Sequence, residues 1–178
     1  MHELLAGWDS FYVIIGSSAA ALTGLMFVVI ALSGETAPAA GTVEAIRAFS
    51  TPNIVHFGGV LLIAALLTTP GHRVLTLSGS VGACGIAGLV FTRWVLVQMR
   101  KVTLYTPIAD DYMWHVRMPF LAYGALTAGA AGLWWRPATA LVLVAAAALF
   151  LLYIGIHNAW DAAIYVSIAR RGQRPPDK

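Results

Sequence analysis

The chain contains few charged residues and a single cysteine. Of its 178 residues, 11% are charged and 59% are hydrophobic, and the mean hydropathy is +0.77. A soluble domain typically carries about 25% charged residues, so this chain has too few to cover a surface that faces water. With Cys84 alone, an intramolecular disulfide is excluded. The composition predicts an integral membrane protein whose partner is the lipid bilayer.

Short motifs of common enzymes and metal sites are also missing from the sequence. It contains no GxSxG, no glycine-rich phosphate loop, no HExxH and no CxxCH. The net charge of +3 comes mostly from one loop and the C-terminal tail, so we interpret it as an orientation signal and expect no nucleic-acid partner. These absences favour a protein without catalytic activity and predict no particular cofactor.

Long apolar stretches make up most of the chain. About 20 apolar residues are needed to cross ~30 Å of hydrocarbon. The fold class predicted is all-α, a polytopic transmembrane helix bundle of five spans that forms one domain over residues 1–170. The residues between the third and fourth spans, 98–118, are expected to lie as a loop along the membrane interface. The spans are predicted at residues 10–32, 47–68, 74–97, 119–135 and 138–160, with the last helix continuing to about 169 before a basic cytoplasmic tail, 171–178.

Lysine and arginine are distributed unevenly between the two sides of such a bundle. A cytoplasmic C-terminus puts eight of them inside and two outside, with Arg93 left within a span. Because cytoplasmic loops carry the excess of positive charge, we expect the N-terminus outside and the C-terminus inside a bacterial cytoplasmic (inner) membrane. The inside set is Arg47, Arg100, Lys101, Arg117, Arg170, Arg171, Arg174 and Lys178, and the outside set is Arg73 and Arg136.

Small residues recur at four-residue spacing on several spans. Such ladders let two helix backbones approach closely, within one chain or between copies. Contacts within the chain are the more common use, and contacts between copies would make the protein a homo-oligomer. The candidate packing positions are Gly16, Ala20, Gly24, Gly82, Gly85, Gly124, Ala128 and Gly132.

Polar residues interrupt the apolar spans in their inner halves. Ionisable groups at membrane depth are costly, so they usually face protein or water and tend to mark function. On a helical wheel, the four such residues of the last span fall within about 100° of one another. The candidate cluster is His157, Asn158, Asp161 and Tyr165 from that span, with His56 and Arg93 from two others.

We therefore expect an oligomeric ion- or proton-conducting channel or transporter. A histidine and an aspartate at i, i+4 can pass a proton along a helix. Arg93 would then be an electrostatic gate or the partner of Asp161, unless it extends to the lipid headgroups. Alternatives are a structural hydrogen-bonded network, a metal or haem site that uses His157, Asp161 and His56, and a helper subunit of a larger membrane complex.

Overall fold

A computed structural model describes residues 2–33, 46–103 and 106–173, with side chains over 4–31, 47–103 and 106–164. Every regular element in these ranges is helical. Two short π-helical segments lead directly into α-helices. The elements are α1 (His2–Ala6), α2 (Asp9–Ser33), π1 (Ile46–Ser50), α3 (Thr51–Thr68), α4 (Val74–Met99), α5 (Ala109–Tyr112), π2 (Met113–Arg117), α6 (Met118–Gly132) and α7 (Pro137–Gln173).

Four stretches of helix are long and apolar enough to cross a membrane. They are Asp9–Ala31, Arg47–Thr68, Val74–Met99 and Pro137–Ile164. The helical elements confirm the all-α class, and the four stretches fit the prediction of transmembrane helices. The fourth predicted span is not among them, because α6 has 15 residues. It is nevertheless continuous with α5 and π2, so the helical run extends from Ala109 to Gly132. Five spans therefore remain a prediction.

Two predicted boundaries differ from the structure. Residues 98–118 are not one interfacial loop, because α4 extends to Met99 and the next helix begins at Ala109. Residues 109–117 form a helix instead of a loop because the inward side chains of that helix, such as His115, are buried against the bundle. At the C-terminus, α7 extends to Gln173, into the segment predicted as tail. Residues 34–45, between the first two predicted spans, and the end of the predicted tail, 174–178, lie outside the described residues.

Glycine contacts establish how the helices run. On α4, Gly82 and Gly85 meet Ala130 and Thr127 of α6, so these two helices are antiparallel. Gly132 meets Ala140 in the same way, which makes α6 and α7 antiparallel. Helix α3 returns along α4 through the turn at residues 69–73, so α3 is antiparallel to α7 as well.

The predicted small-residue positions divide into two groups. Inside the bundle, Gly16 lies so close to α3 that an added Cβ would come within 2.8 Å of the Cβ of Ala64, and the glycines at 82, 85 and 132 also face a neighbouring helix. The outward group is exposed or has no side chain nearby. It consists of Ala20, Gly24, Gly124 and Ala128.

The two ends of the bundle have different interiors. We call them the Asp161 end, which also holds π1 and π2, and the Trp134 end, which also holds the 69–73 turn. Toward the Trp134 end the Tyr12 hydroxyl is buried without a partner in the described residues, but most of the interior is apolar. In a set of large apolar side chains there, none is more than 2% exposed. That set is Ile63, Leu67, Leu77, Leu133 and Leu141.

Candidate functional site

Buried polar side chains collect in the half of the bundle nearer the Asp161 end. We define the polar cluster as Asn53, His56, His115 and Asn158, which come from α3, π2 and α7 and are at most 6% exposed. His157 and Asp161 lie on the same helix as Asn158, at the edge of this cluster.

His56 is the deepest member of the polar cluster. Its Nδ1 lies 3.0 Å from the hydroxyl of Tyr123, so α3 and α6 are joined by a buried hydrogen bond. The tyrosine ring fits because it lies directly over Gly88 of α4, where a Cβ would overlap the ring. The other ring nitrogen, Nε2, is buried and has no hydrogen-bond partner among the described residues. That nitrogen donates when Nδ1 accepts from the Tyr123 hydroxyl, and it accepts a proton or a donor group when Nδ1 carries the hydrogen.

Asn53 lies one turn closer to the Asp161 end. It is completely buried, and neither its Nδ2 nor its Oδ1 has a partner in the described part of the chain. Phe57 of α3 packs against Gly155 of α7. Asn53 precedes Phe57 by four residues and Asn158 follows Gly155 by three, so on antiparallel helices both lie about 4.5–6 Å nearer the Asp161 end. The two amides are therefore at nearly the same level.

Asn158 connects this level to the edge of the bundle. Its Nδ2 donates to the backbone carbonyl of Trp114 at 3.3 Å, while its Oδ1 is buried without a partner in the described ranges. A buried amide that lacks partners costs several kcal/mol in general, about 2–7 by transfer scales. Unpaired groups on Asn53, His56 and Asn158 thus mark an interior that suits a polar occupant better than an apolar one.

His157 and Asp161 form the edge of the site. The His157 ring stacks on Trp114 with centroids 3.8 Å apart and planes at 13°. Its Nδ1 lies 3.5 Å from Oδ2 of Asp161, which is too long for a firm hydrogen bond but gives an ion pair when the ring is protonated. The Asp161 side chain is 56% exposed and that of His157 is 28% exposed. We call this pair the mouth of the polar cluster.

His115 sits between the mouth and the deeper residues. Its Nδ1 lies 3.2 Å from the carbonyl oxygen of Asp111, and its ring meets Phe49 edge-on.

The structure separates residues that the wheel placed together. Asn158 faces the bundle interior, Asp161 faces outward, and His157 lies between them. Arg93 is exposed, although the adjacent Thr92 is buried. The side chain of Tyr165 lies outside the described residues.

Sequence reasoning missed Asn53, Tyr123 and Trp114 and considered His115 only as part of a loop. Asn53 was detectable, because it precedes His56 by three residues and so shares its helix face. The contacts of Tyr123 and Trp114 depend on how α6 packs against α3 and α7, which no spacing within one helix reports.

A metal centre has little support in the described residues. They contain no group of three histidine, cysteine or acidic side chains placed to hold one ion. His157 and Asp161 would supply two ligands from one helix, and His56 is engaged with Tyr123 in a different layer. A zinc site normally has at least three protein ligands.

No protein-family model, curated protein or solved structure matches the chain.

Proposed function

We propose that this chain is a proton- or small-ion-conducting protein of the bacterial inner membrane, with five spans, an external N-terminus and a cytoplasmic C-terminus. The carrying observation is the buried His56, whose Nε2 has no partner in the described residues and which lies in the same half of the bundle as the rest of the polar cluster and the exposed His157–Asp161 mouth. Such a series offers successive proton-binding and hydrogen-bonding groups from one surface toward the middle of the bundle.

Surface charge supports the proposed orientation. At the Asp161 end, four cationic side chains are exposed, namely Arg47, Arg100, Lys101 and Arg117. The Trp134 end presents Arg73 and Arg136. Positive-inside placement puts the Asp161 end in the cytoplasm, which requires the 109–132 helical run to cross the membrane between α4 and α7. The mouth would then open toward the cytoplasm.

The proposed ion path, which runs from the mouth through the polar cluster toward the Trp134 end, is polar only in part. Beyond His56 and Tyr123, the interior toward the Trp134 end consists mostly of apolar side chains such as Ile63 and Leu77, and the Tyr12 hydroxyl is a buried polar group there. Apolar constrictions gate conduction by excluding water. We therefore propose a gated conductor or a transporter, whose outer half must rearrange for an ion to cross, rather than a constantly open pore.

Outward small residues on α2 support assembly of several copies. Ala20 is exposed, and an added Cβ at Gly24 would meet nothing within 4 Å. A second helix can approach such a face closely, whether it belongs to another copy or to a larger complex. Cysteine crosslinking at residue 24 distinguishes the two, because only a homo-oligomer yields a covalent dimer of the purified chain.

Flux measurements on reconstituted protein test the proposal. We expect Asp161→Asn to reduce proton entry into proteoliposomes that contain a pH-sensitive dye by about 100-fold, the lower end of what one positioned proton-transfer group contributes. Asp110→Asn is the matched control, since this aspartate is also exposed near the same end but lies outside the cluster. Flux in the wild-type protein no greater than in empty liposomes, for protons and for potassium, would refute conduction.

A further inference from the structure

A concave groove lies between α6 and α7 on the outside of the bundle. It encloses about 430 Å³ and is almost wholly apolar. Alanines form much of its surface, and their short side chains leave a depression between the two helices. The lining residues are Leu121, Ala122, Ala125, Leu143, Ala146, Ala147 and Phe150.

Polar and aromatic side chains stand at the end of the groove nearer the Asp161 end. Arg117 is exposed and precedes Leu121 by one helical turn, so the two share a face of the helix. Helical side chains point toward the N-terminus, which directs the guanidinium away from the groove and toward the membrane surface. Across the groove, Tyr153 follows Phe150 by three residues, is 55% exposed and contacts the Trp114 ring.

We propose that this groove binds one phospholipid from the leaflet at the Asp161 end. One acyl chain fills the apolar groove, the phosphate pairs with Arg117, and the Tyr153 hydroxyl lies at headgroup level. The proposal stands apart from ion conduction, because the groove faces outward whereas the polar cluster faces inward.

Charge complementarity favours a lipid over another helix as the occupant. Lipid tails are as apolar as leucine, so burying an apolar helix or an acyl chain here gains little from the hydrophobic effect. Selective retention must come from close packing and from the polar end of the groove. Arginine pairs bidentately with phosphate, and basic positions beside transmembrane helices are a known basis of headgroup recognition. An anionic phospholipid meets both conditions.

Lipid retention after purification tests the proposal. The protein is delipidated in detergent, offered phosphatidylglycerol or phosphatidylcholine, and examined by native mass spectrometry. We expect one phosphatidylglycerol per protomer to survive in the wild-type protein, with phosphatidylcholine retained less. Ala146→Phe, which fills the groove from an exposed position, is expected to reduce retention at least tenfold. Arg117→Gln is expected to remove the preference for phosphatidylglycerol while leaving some binding.

Two controls separate the groove from the rest of the lipid-facing surface. Ala87→Phe adds the same ring at an exposed position on α4, and Arg136→Gln removes an exposed arginine at the Trp134 end. Both are expected to retain lipid as the wild-type protein does. If Ala146→Phe does not fold, Ala125→Leu fills the groove with a smaller side chain.

Equal retention in wild-type protein and in folded groove variants would overturn the proposal, as would equal loss in the controls. Loss of an oligomer in Ala146→Phe without a change in lipid content would show that the groove is instead an interface between copies.

Discussion

Gly88→Ala is expected to destabilise the bundle by about 1–3 kcal/mol, the usual cost of overpacking a filled interior. A Cβ at this position would overlap the Tyr123 ring, including its Cγ, so the tyrosine must move as a whole. Such a movement also stretches the buried bond from Tyr123 to His56. Denaturant unfolding in mixed micelles, followed by circular dichroism, measures the loss.

The matched control for this substitution lies on the same helix. An added Cβ at Gly79 would meet nothing within 4 Å, so Gly79→Ala gains helix stability without a steric cost. Replacement of glycine by alanine within a helix is worth roughly 0.5–1 kcal/mol. We therefore expect the two variants to shift stability in opposite directions. A Gly88→Ala protein as stable as Gly79→Ala would show that α6 does not pack on α4 as described.

A double-mutant cycle on His56 and Tyr123 has the second large expected effect. Tyr123→Phe leaves the fully buried His56 without its described partner, and His56→Phe leaves the Tyr123 hydroxyl buried and unpaired. Each single change is expected to cost about 1–3 kcal/mol. The double variant removes both polar groups, so we expect a coupling energy of about 0.5–3 kcal/mol in its favour.

Proton-flux measurements on the same four proteins distinguish a functional role of His56 from a structural one. If His56 carries the proton, both proteins with phenylalanine at 56 lose flux, although the double variant regains stability. Tyr123→Phe keeps the imidazole and is expected to retain part of the flux. Flux that follows stability across all four proteins would assign His56 a structural role only.

Membrane class and helix positions follow from composition and run length. A helix that crosses the hydrocarbon must be nearly all apolar and about 20 residues long. Apolarity and length are both properties of one continuous segment. This is why α2, α3 and α4 begin and end within a few residues of the predicted spans. The 109–132 run was harder to predict, because polar residues of π2 precede a short apolar α6 and their burial depends on neighbouring helices.

The candidate site was predictable only in part. His56, His157, Asn158 and Asp161 stand out as polar residues in apolar surroundings, and their presence in one half of the bundle follows from helix direction and position. Whether they face one another does not follow. A helical wheel places Asn158 and Asp161 on one arc. In the structure π2 covers Asn158, whose amide bonds to the Trp114 carbonyl, whereas Asp161 stays exposed.

Sequence alone determined most of the helical segments and which polar groups lie within apolar stretches, because hydropathy and length depend only on the order of residues. Tertiary structure decided which groups are buried together, because burial depends on which helix covers each face. Gly88 and Gly79 illustrate the difference. They are the same residue on the same helix, but one receives the Tyr123 ring from another helix and the other meets no side chain.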